Sequence, residues 1–131
     1  MMHVIDSSVL IAISKGEPGA EAAMDLLLTH DCVISSVNLA EVGTKLIDFG
    51  LPEGELSRGL SQFSLDVIDF DAEQATACAA LRAVTREHGL SLGDRACLAL
   101  ARGMQGVAVT ADRVWADLDA AAIGARVQLI R

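Results

Sequence analysis

Short apolar runs alternate with longer amphipathic segments along this chain of 131 residues. The runs are rich in β-branched residues, which is typical of strands buried within a sheet. The run at 65–70 differs, because apolar and acidic residues alternate in it as they do in a strand with one solvated face. The predicted strands cover residues 2–5, 32–34, 65–70, 107–109 and 127–130.

The segments between these runs carry apolar residues at spacings of three and four, which is typical of amphipathic helices. The predicted helices cover residues 9–13, 20–29, 39–49, 53–63, 72–88, 94–102 and 113–122. Parallel neighbouring strands need crossover connections, and helices supply them. The alternation therefore predicts an α/β fold with a central parallel β-sheet flanked by helices on both faces. The length predicts a single domain, residues 1–131.

The composition favours a folded chain and limits what that chain can do. Hydrophobic residues make up 52% and charged residues 21%, a balance typical of a globular domain. Aromatic residues make up only 3%, so a surface that stacks RNA bases on aromatic rings is not expected. The formal net charge is -8, which would repel nucleic acid. Any nucleic-acid function must therefore come from a local arrangement in which metal ions cancel part of the acidic charge.

The same composition bears on the compartment. The chain does not open with a basic segment followed by a long apolar run, and its apolar stretches end well before the roughly 18 residues that a membrane-spanning helix needs. Cys32, Cys78 and Cys97 are odd in number and form no close pair, so neither a disulfide framework nor a zinc site is indicated. We expect a cytoplasmic protein without a membrane segment, whose cysteines are core residues.

Four acidic residues occupy special positions in this pattern. Asp6 directly follows the first predicted strand, and Glu41 lies early in the helix after the second. Asp94 begins the helix that leads to the fourth strand, and Asp112 comes shortly after that strand. Ligands bind beyond the carboxyl ends of the strands in an open parallel sheet. We therefore expect these four carboxylates to meet at one edge of the sheet.

Carboxylates that gather in one pocket repel one another unless they take up protons or a divalent cation. Oxygen ligands without His or Cys favour a hard ion such as Mg²⁺ or Mn²⁺. Such an ion lowers the pKa of a bound water and stabilises charge on a phosphodiester, which suits hydrolysis of nucleic acid. Ser7 and Thr110 place hydroxyl groups beside Asp6 and Asp112, where they could orient a carboxylate.

Each of these residues also has a structural interpretation. Asp6 and Asp112 could be helix N-caps, and the patterns Asn38-x-x-Glu41 and Ser91-x-x-Asp94 resemble capping boxes. The hydroxyl groups could make local turn hydrogen bonds. Capping does not require acids set among apolar neighbours, as these four are.

Three further charged residues lie close to this set in sequence. Arg95 and Arg113 each follow an acid and could contact a phosphate or form a surface salt bridge. Asp117 is a further candidate acid on the predicted helix after Asp112.

The chain resembles a PIN domain of the VapC toxin type. The resemblance rests on four segments that occur in order over the whole chain: Val4-Ile5-Asp6-Ser7-Ser8, residues 35–42 around Glu41, residues 90–94 ending at Asp94, and residues 110–115 around Asp112. It implies a Mg²⁺- or Mn²⁺-dependent endoribonuclease with an RNA substrate. In that family pattern Asp6, Glu41, Asp94 and Asp112 would be the metal-binding and catalytic acids, with Ser7 and Thr110 supporting them.

The resemblance also implies partners. A cognate VapB-like antitoxin would neutralise the toxin by inserting a segment near the active centre, and a basic arm would be attracted to so acidic a surface. A homodimer is implied as well, and the apolar helices within residues 20–49 could bury its interface. The alternative is a catalytically weak PIN-like module that serves as a scaffold or binding partner. A haloacid-dehalogenase-like phosphatase fits less well, because it needs a second Asp where Ser8 stands.

Overall fold

Five short parallel strands form a single sheet in the computed structural model, which describes residues 1–131. The strands are β1 (His3–Ile5), β2 (Cys32–Ser35), β3 (Asp66–Ile68), β4 (Val107–Thr110) and β5 (Arg126–Leu129). Their order across the sheet is β3-β2-β1-β4-β5, and every neighbouring pair is parallel. The predicted α/β class and the existence of all five strands are confirmed.

Helices cover both faces of the sheet, as predicted. They are α1 (Ser7–Lys15), α2 (Ala20–Thr29), α3 (Ser36–Asp48), α4 (Leu56–Ser61), α5 (Ala72–Ala80), α6 (Arg82–Thr85), α7 (Leu92–Gly103) and α8 (Ala120–Ile123). Short 3₁₀ segments lie at Glu53–Glu55, Arg86–His88 and Arg113–Asp117. Helices α1, α2 and α3 contribute to one buried apolar cluster, whereas α5, α7 and α8 contribute to another.

Alternation along the strands separates these two clusters. Val4 belongs to the cluster beneath α7, and its neighbour Ile5 belongs to the cluster beneath α1. Val33 and Ile34 of β2 divide in the same way. Successive strand residues point to opposite faces, so a fully apolar run is needed wherever both faces are covered.

Two predicted helices are interrupted in the structure. The helix predicted over 72–88 is divided into α5, α6 and a 3₁₀ turn. Near this division the Thr85 hydroxyl and the Thr85 backbone amide both donate to the Leu81 carbonyl oxygen, at 2.8 and 3.1 Å.

The prediction of a single helix over 113–122 is also wrong. It consists of a 3₁₀ turn and α8, separated by extended backbone at Leu118. The Asp119 carboxylate accepts hydrogen bonds from the amides of Ala121 and Ala122. Asp119 therefore caps a new helix at a position where the apolar periodicity predicted an uninterrupted one.

The sheet topology identifies the edge at which a site is expected. The central strand β1 pairs with β2 on one side and with β4 on the other. The chain passes from β1 to β2 through α1 and α2 on one face, and it reaches β4 through α7 on the other face. The boundary between β1 and β4 is therefore the switch point at which open α/β sheets bind ligands. None of the helices is both long and apolar enough to span a membrane.

Gly106 allows β4 to begin close to the amino end of β1. A Cβ atom at this buried glycine would overlap the carbonyl oxygen of Met2, which accepts the first interstrand hydrogen bond from Val107 at 2.9 Å. We expect Gly106→Ala to lower the free energy of unfolding by about 1–3 kcal/mol through overpacking. Gly103→Ala is the control, because open space surrounds its Cβ position and alanine favours the helix. Urea denaturation of both variants checks this; equal stability would contradict the steric argument.

Candidate functional site

Asp6 lies at the switch point, immediately after β1. Its backbone amide donates to the Val109 carbonyl oxygen of β4 at 2.9 Å, and its residue surface is only 2% exposed. Asp6 occupies the N-cap position of α1, but its side chain makes no capping hydrogen bond. The capping interpretation is therefore wrong for this carboxylate, which is directed elsewhere.

Two hydroxyl groups bind the same oxygen of Asp6. Ser8 Oγ donates to Asp6 Oδ2 at 2.6 Å, and Thr110 Oγ1 donates to it at 2.9 Å. Each hydroxyl in turn accepts a backbone amide: that of Ala111 at 2.9 Å on Ser8, and that of Asp112 at 3.1 Å on Thr110. The two hydroxyl oxygens also lie 3.2 Å apart, so Ser8, Thr110 and Asp6 Oδ2 form one connected hydrogen-bond network.

The supporting hydroxyl beside Asp6 was expected from Ser7, and the structure assigns this contact to Ser8 instead. Ser7 is buried and donates no hydrogen bond to Asp6. The first turn of α1 begins at Ser7, and the resulting rotation brings the next side chain back toward the strand end. Thr110, the other expected hydroxyl, does contact Asp6.

The second oxygen of Asp6 has no partner. Asp6 Oδ1 is buried and accepts no hydrogen bond. Burial raises the pKa of Asp6 from its ordinary value of 3.8 to about 7; the Ser8 and Thr110 hydrogen bonds oppose this rise, and the charges of Asp94 and Glu41 add to it. A cation at Oδ1 would replace the missing interaction and favour the ionised form.

Glu41 and Asp94 lie on helices that contribute to the apolar clusters on opposite faces of the sheet, and the charges of both act on Asp6. Glu41 lies on α3 and accepts a hydrogen bond from the Asn38 amide at 3.0 Å. Asp94 lies in the first turn of α7 and forms a capping box with Ser91. The same three carboxylates raise the pKa of the fully buried Cys97 thiol well above its usual value, after the larger effect of burial. Asp6, Glu41 and Asp94 therefore act on one region.

Of the two capping boxes considered from the sequence, one is absent and the other is present. Ser35 is the N-cap of α3 and accepts from the Val37 amide at 3.2 Å, so the proposed Asn38-x-x-Glu41 capping box is wrong. The Ser91-x-x-Asp94 capping box is confirmed, with hydrogen bonds of 2.9 and 3.1 Å. A cap uses one carboxylate oxygen, so this structural role leaves the other oxygen of Asp94 available.

Asp112 lies at the same edge, after β4. Its Oδ1 accepts from the Val114 amide at 3.0 Å and so caps the 3₁₀ turn. Its own amide donates to Thr110, which connects it to Asp6. The carboxylate charges that act on Asp6 are those of Asp94 and Glu41, whereas Asp112 is joined to Asp6 through Thr110.

These residues suit a hard cation that takes few ligands directly from the protein. No group of three or more His, Cys, Asp or Glu side chains is placed to hold a metal ion as a preformed cage. Mg²⁺, however, commonly takes only one or two carboxylates directly and completes its coordination with water and phosphate oxygens. The unpartnered Asp6 Oδ1, with two further carboxylate charges acting on it, fits an ion held in that way.

The remaining sequence candidates lie around this edge without joining the network. The Arg95 guanidinium donates to the Cys78 carbonyl oxygen at 3.1 Å. Arg113 and Asp117 are exposed in the 3₁₀ turn. The ion pairs of the structure involve neither Arg95 nor Arg113, so the surface salt-bridge interpretation of these arginines is wrong.

Sequence comparison places most of the chain in one family. The family model described as PIN domain matches residues 3–121. A comparison with curated proteins found no match.

Several solved structures are similar along nearly the whole chain. A chain in the structure of VapBC2 from Rickettsia felis, bound to a DNA fragment from the promoter, has a TM-score of 0.73 at 18% identity and 98% coverage of both chains. A toxin-antitoxin complex from Klebsiella pneumoniae gives 0.74 at 21% identity, again covering 98% of each. VapC20 of Mycobacterium tuberculosis, described as a sarcin-ricin loop cleaving toxin, gives 0.72 at 18% identity, covering 89% of this chain and 96% of that one. At these identities the likeness establishes the fold.

The buried Asp6 makes the stability of the metal-free protein depend on pH. The folded protein keeps the Asp6 proton up to about pH 7, whereas the group loses it near its ordinary value of 3.8 when exposed. The folded state thus binds the extra proton between these values, and the free energy of unfolding falls as pH rises through that window. The full effect is about 4 kcal/mol.

We expect Asp6→Asn, which cannot ionise, to lack this fall and to be more stable than the wild type at about pH 8 in chelator. Urea denaturation across the window measures both. Asp48→Asn, at an exposed position of α3, is the charge-matched control and should follow the wild type. Parallel pH profiles for Asp6→Asn and the wild type would contradict the burial argument.

Proposed function

This chain belongs to the PIN domain family, and from that premise we propose that it is a magnesium- or manganese-dependent endoribonuclease. We further propose that it is the toxin of a type II toxin-antitoxin module. One observation carries the proposal: a carboxylate buried at the switch point of the sheet keeps one oxygen unpartnered while two other carboxylates act on it. A buried charge in that situation is tenable when a cation binds it.

The residues of the site have distinct tasks in this proposal. Asp6, Glu41, Asp94 and Asp112 would hold the cation, directly or through its waters. Ser8 and Thr110 keep Asp6 Oδ2 occupied, so the free oxygen of this carboxylate is always Oδ1. When bound, Mg²⁺ or Mn²⁺ supplies a water of lowered pKa and stabilises negative charge on the phosphodiester.

An acidic chain can contact RNA only through a local arrangement of charges. With a net charge of -8, the protein gains little from general attraction to a phosphate backbone. Arg113 is exposed beside Asp112 and is paired with no carboxylate, so its guanidinium is available to a phosphate. Contact with RNA would then be local, at the carboxyl edge of the sheet.

The partners follow from the same proposal. The similar structures include VapBC complexes, and a VapB-like antitoxin is the partner we propose for this chain. A basic segment of such an antitoxin would be attracted to the acidic surface around Asp6. For the homodimer we propose a face within residues 20–49, where Met24, Leu28, Ile47 and Phe49 are exposed apolar side chains.

The metal-dependent cleavage is directly testable. We expect purified protein to cut structured RNA in Mn²⁺ and to stop in excess chelator. Asp6→Asn should slow cleavage by about 100-fold or more, because it removes charge aimed at the reacting centre. The readout is the initial rate on a labelled RNA, and calorimetric titration with Mn²⁺ gives the metal affinity.

Asp48→Asn again removes one charge on α3, away from the candidate acids, and should cleave RNA at the wild-type rate. Cutting that persists in chelator, or that Asp6→Asn leaves unchanged, would contradict the nuclease proposal. Metal-independent RNA binding without cleavage would favour the scaffold alternative.

The proposed dimer has its own test. Leu28 is 84% exposed and Met24 is 50% exposed; they lie four residues apart on α2 and so form neighbouring apolar surface of the kind that partners cover. We expect the wild type to sediment as a dimer at tens of micromolar and the Met24→Asp, Leu28→Asp double variant as a monomer. Val84→Asp changes an exposed apolar residue of α6 and should remain dimeric. A monomeric wild type would rule out this self-association.

A further inference from the structure

A fully buried asparagine contacts one of the candidate acids and is not itself a candidate metal ligand. Asn38 is 0% exposed and lies in α3, one helical turn before Glu41. Buried polar side chains are costly unless their hydrogen bonds are satisfied. Asn38 Oδ1 has no partner, so this side chain carries an unfavourable burial that an apolar residue would avoid.

The amide group of Asn38 makes two contacts that join two helices. Its Nδ2 donates to Glu41 Oε1 at 3.0 Å and to the Gly93 carbonyl oxygen at 3.0 Å. Gly93 lies in the first turn of α7, directly before Asp94. One side chain thus holds the Glu41 carboxylate of α3 and connects it to the first turn of α7, which carries Asp94.

The orientation of this amide follows from its neighbours. A flipped amide would place Oδ1 against a carboxylate oxygen and a carbonyl oxygen, and three acceptors would then meet without a proton between them. The nitrogen must therefore face Glu41 and Gly93. Both N–H groups are used, which also makes Asp a poor substitute, because it would replace both donors with a further negative charge.

Gly93 also limits the position of Glu41. A Cβ atom at Gly93 would overlap both carboxylate oxygens of Glu41, so the carboxylate lies directly against the backbone of α7. Asn38 and Gly93 together leave Glu41 little freedom. Glu41 is only partly buried, and a glutamate without these constraints would lose side-chain entropy on binding a cation.

We propose that Asn38 is a positioning residue that holds the Glu41 carboxylate in place beside Asp94 and thereby sets the metal affinity of the site. Asn38 touches neither the cation nor the RNA in this arrangement. The inference rests on the proposed function, because it concerns the same metal site. Residues that orient metal ligands typically contribute about 10- to 100-fold to metal affinity or activity.

The test compares variants of Asn38 with a matched buried hydrogen bond elsewhere. Asn38→Ala removes the amide and leaves space, and Asn38→Leu removes it while keeping four side-chain heavy atoms branched at Cγ, so that loss of packing is separated from loss of the hydrogen bonds. Thr85→Val is the control: Thr85 is also 0% exposed, and its hydroxyl donates to Leu81 within the α5–α6 region. Circular dichroism establishes that each variant is folded.

The probe is Mn²⁺ alone, titrated calorimetrically into each full-length protein in the absence of RNA. We expect both Asn38 variants to bind Mn²⁺ about 10- to 100-fold more weakly than the wild type. Thr85→Val should lose stability and keep wild-type affinity. In RNA cleavage, the Asn38 variants should lose kcat at fixed Mn²⁺, keep KM for RNA, and recover part of the lost rate when Mn²⁺ is raised.

The outcomes separate this inference from the proposed function. Wild-type protein that neither binds Mn²⁺ nor cleaves RNA would overturn both. Wild-type protein that does so, with Asn38→Ala and Asn38→Leu matching Thr85→Val in Mn²⁺ affinity, would overturn the positioning role alone. If only one Asn38 variant folds, its affinity decides. A raised KM for RNA without a change in Mn²⁺ affinity would also contradict the proposal, because it would assign Asn38 to RNA binding.

Discussion

Burial of the Asp6 carboxyl group at the end of the central strand is the constraint on which the site depends. Removal from water raises the pKa of this group to about 7, and two hydroxyl groups stabilise one of its oxygens. Backbone amides donate to those hydroxyls in turn, that of Ala111 to Ser8 and that of Asp112 to Thr110. The polar network therefore orients the carboxylate without satisfying Oδ1, and it stores an unfavourable interaction where a cation would relieve it.

The sheet topology brings Glu41 and Asp94 near enough for their charges to act on that carboxylate. β1 lies between β2 and β4, so segments far apart in sequence leave the sheet side by side at the same edge. Glu41 lies on a helix of one face and Asp94 on a helix of the other, and Asn38 connects the Glu41 carboxylate to the carbonyl oxygen of Gly93, the residue before Asp94. This explains how a chain with a net charge of -8 concentrates carboxylates: each is held by its own helix, and their repulsion is opposed by packing of the whole domain.

Helix capping leaves two of the candidate acids with an oxygen that could still bind a ligand, and a third candidate acid makes no cap at all. Asp94 and Asp112 cap helical segments with one oxygen each, which leaves a second oxygen for a ligand. Asp6 stands at an N-cap position yet makes no capping hydrogen bond. A capping hydrogen bond is therefore no argument against a functional role here. A carboxylate that stands at an N-cap position and makes no capping hydrogen bond, as Asp6 does, is the stronger indication of a site.

The sequence by itself determined the alternation of strands and helices along the chain, the α/β class and the edge at which the four acids lie, because apolar periodicity and parallel crossovers depend on local pattern and chain connectivity. The order of the strands across the sheet came only from the structure. The sequence could not locate the breaks within 72–88 and 113–122; in the second segment the side chain of Asp119 caps a new helix. Only the tertiary structure decided that Ser8, and not Ser7, binds Asp6, and that Asn38 connects Glu41 to Gly93. These contacts depend on helix rotation and on pairs distant in sequence, which no local pattern encodes.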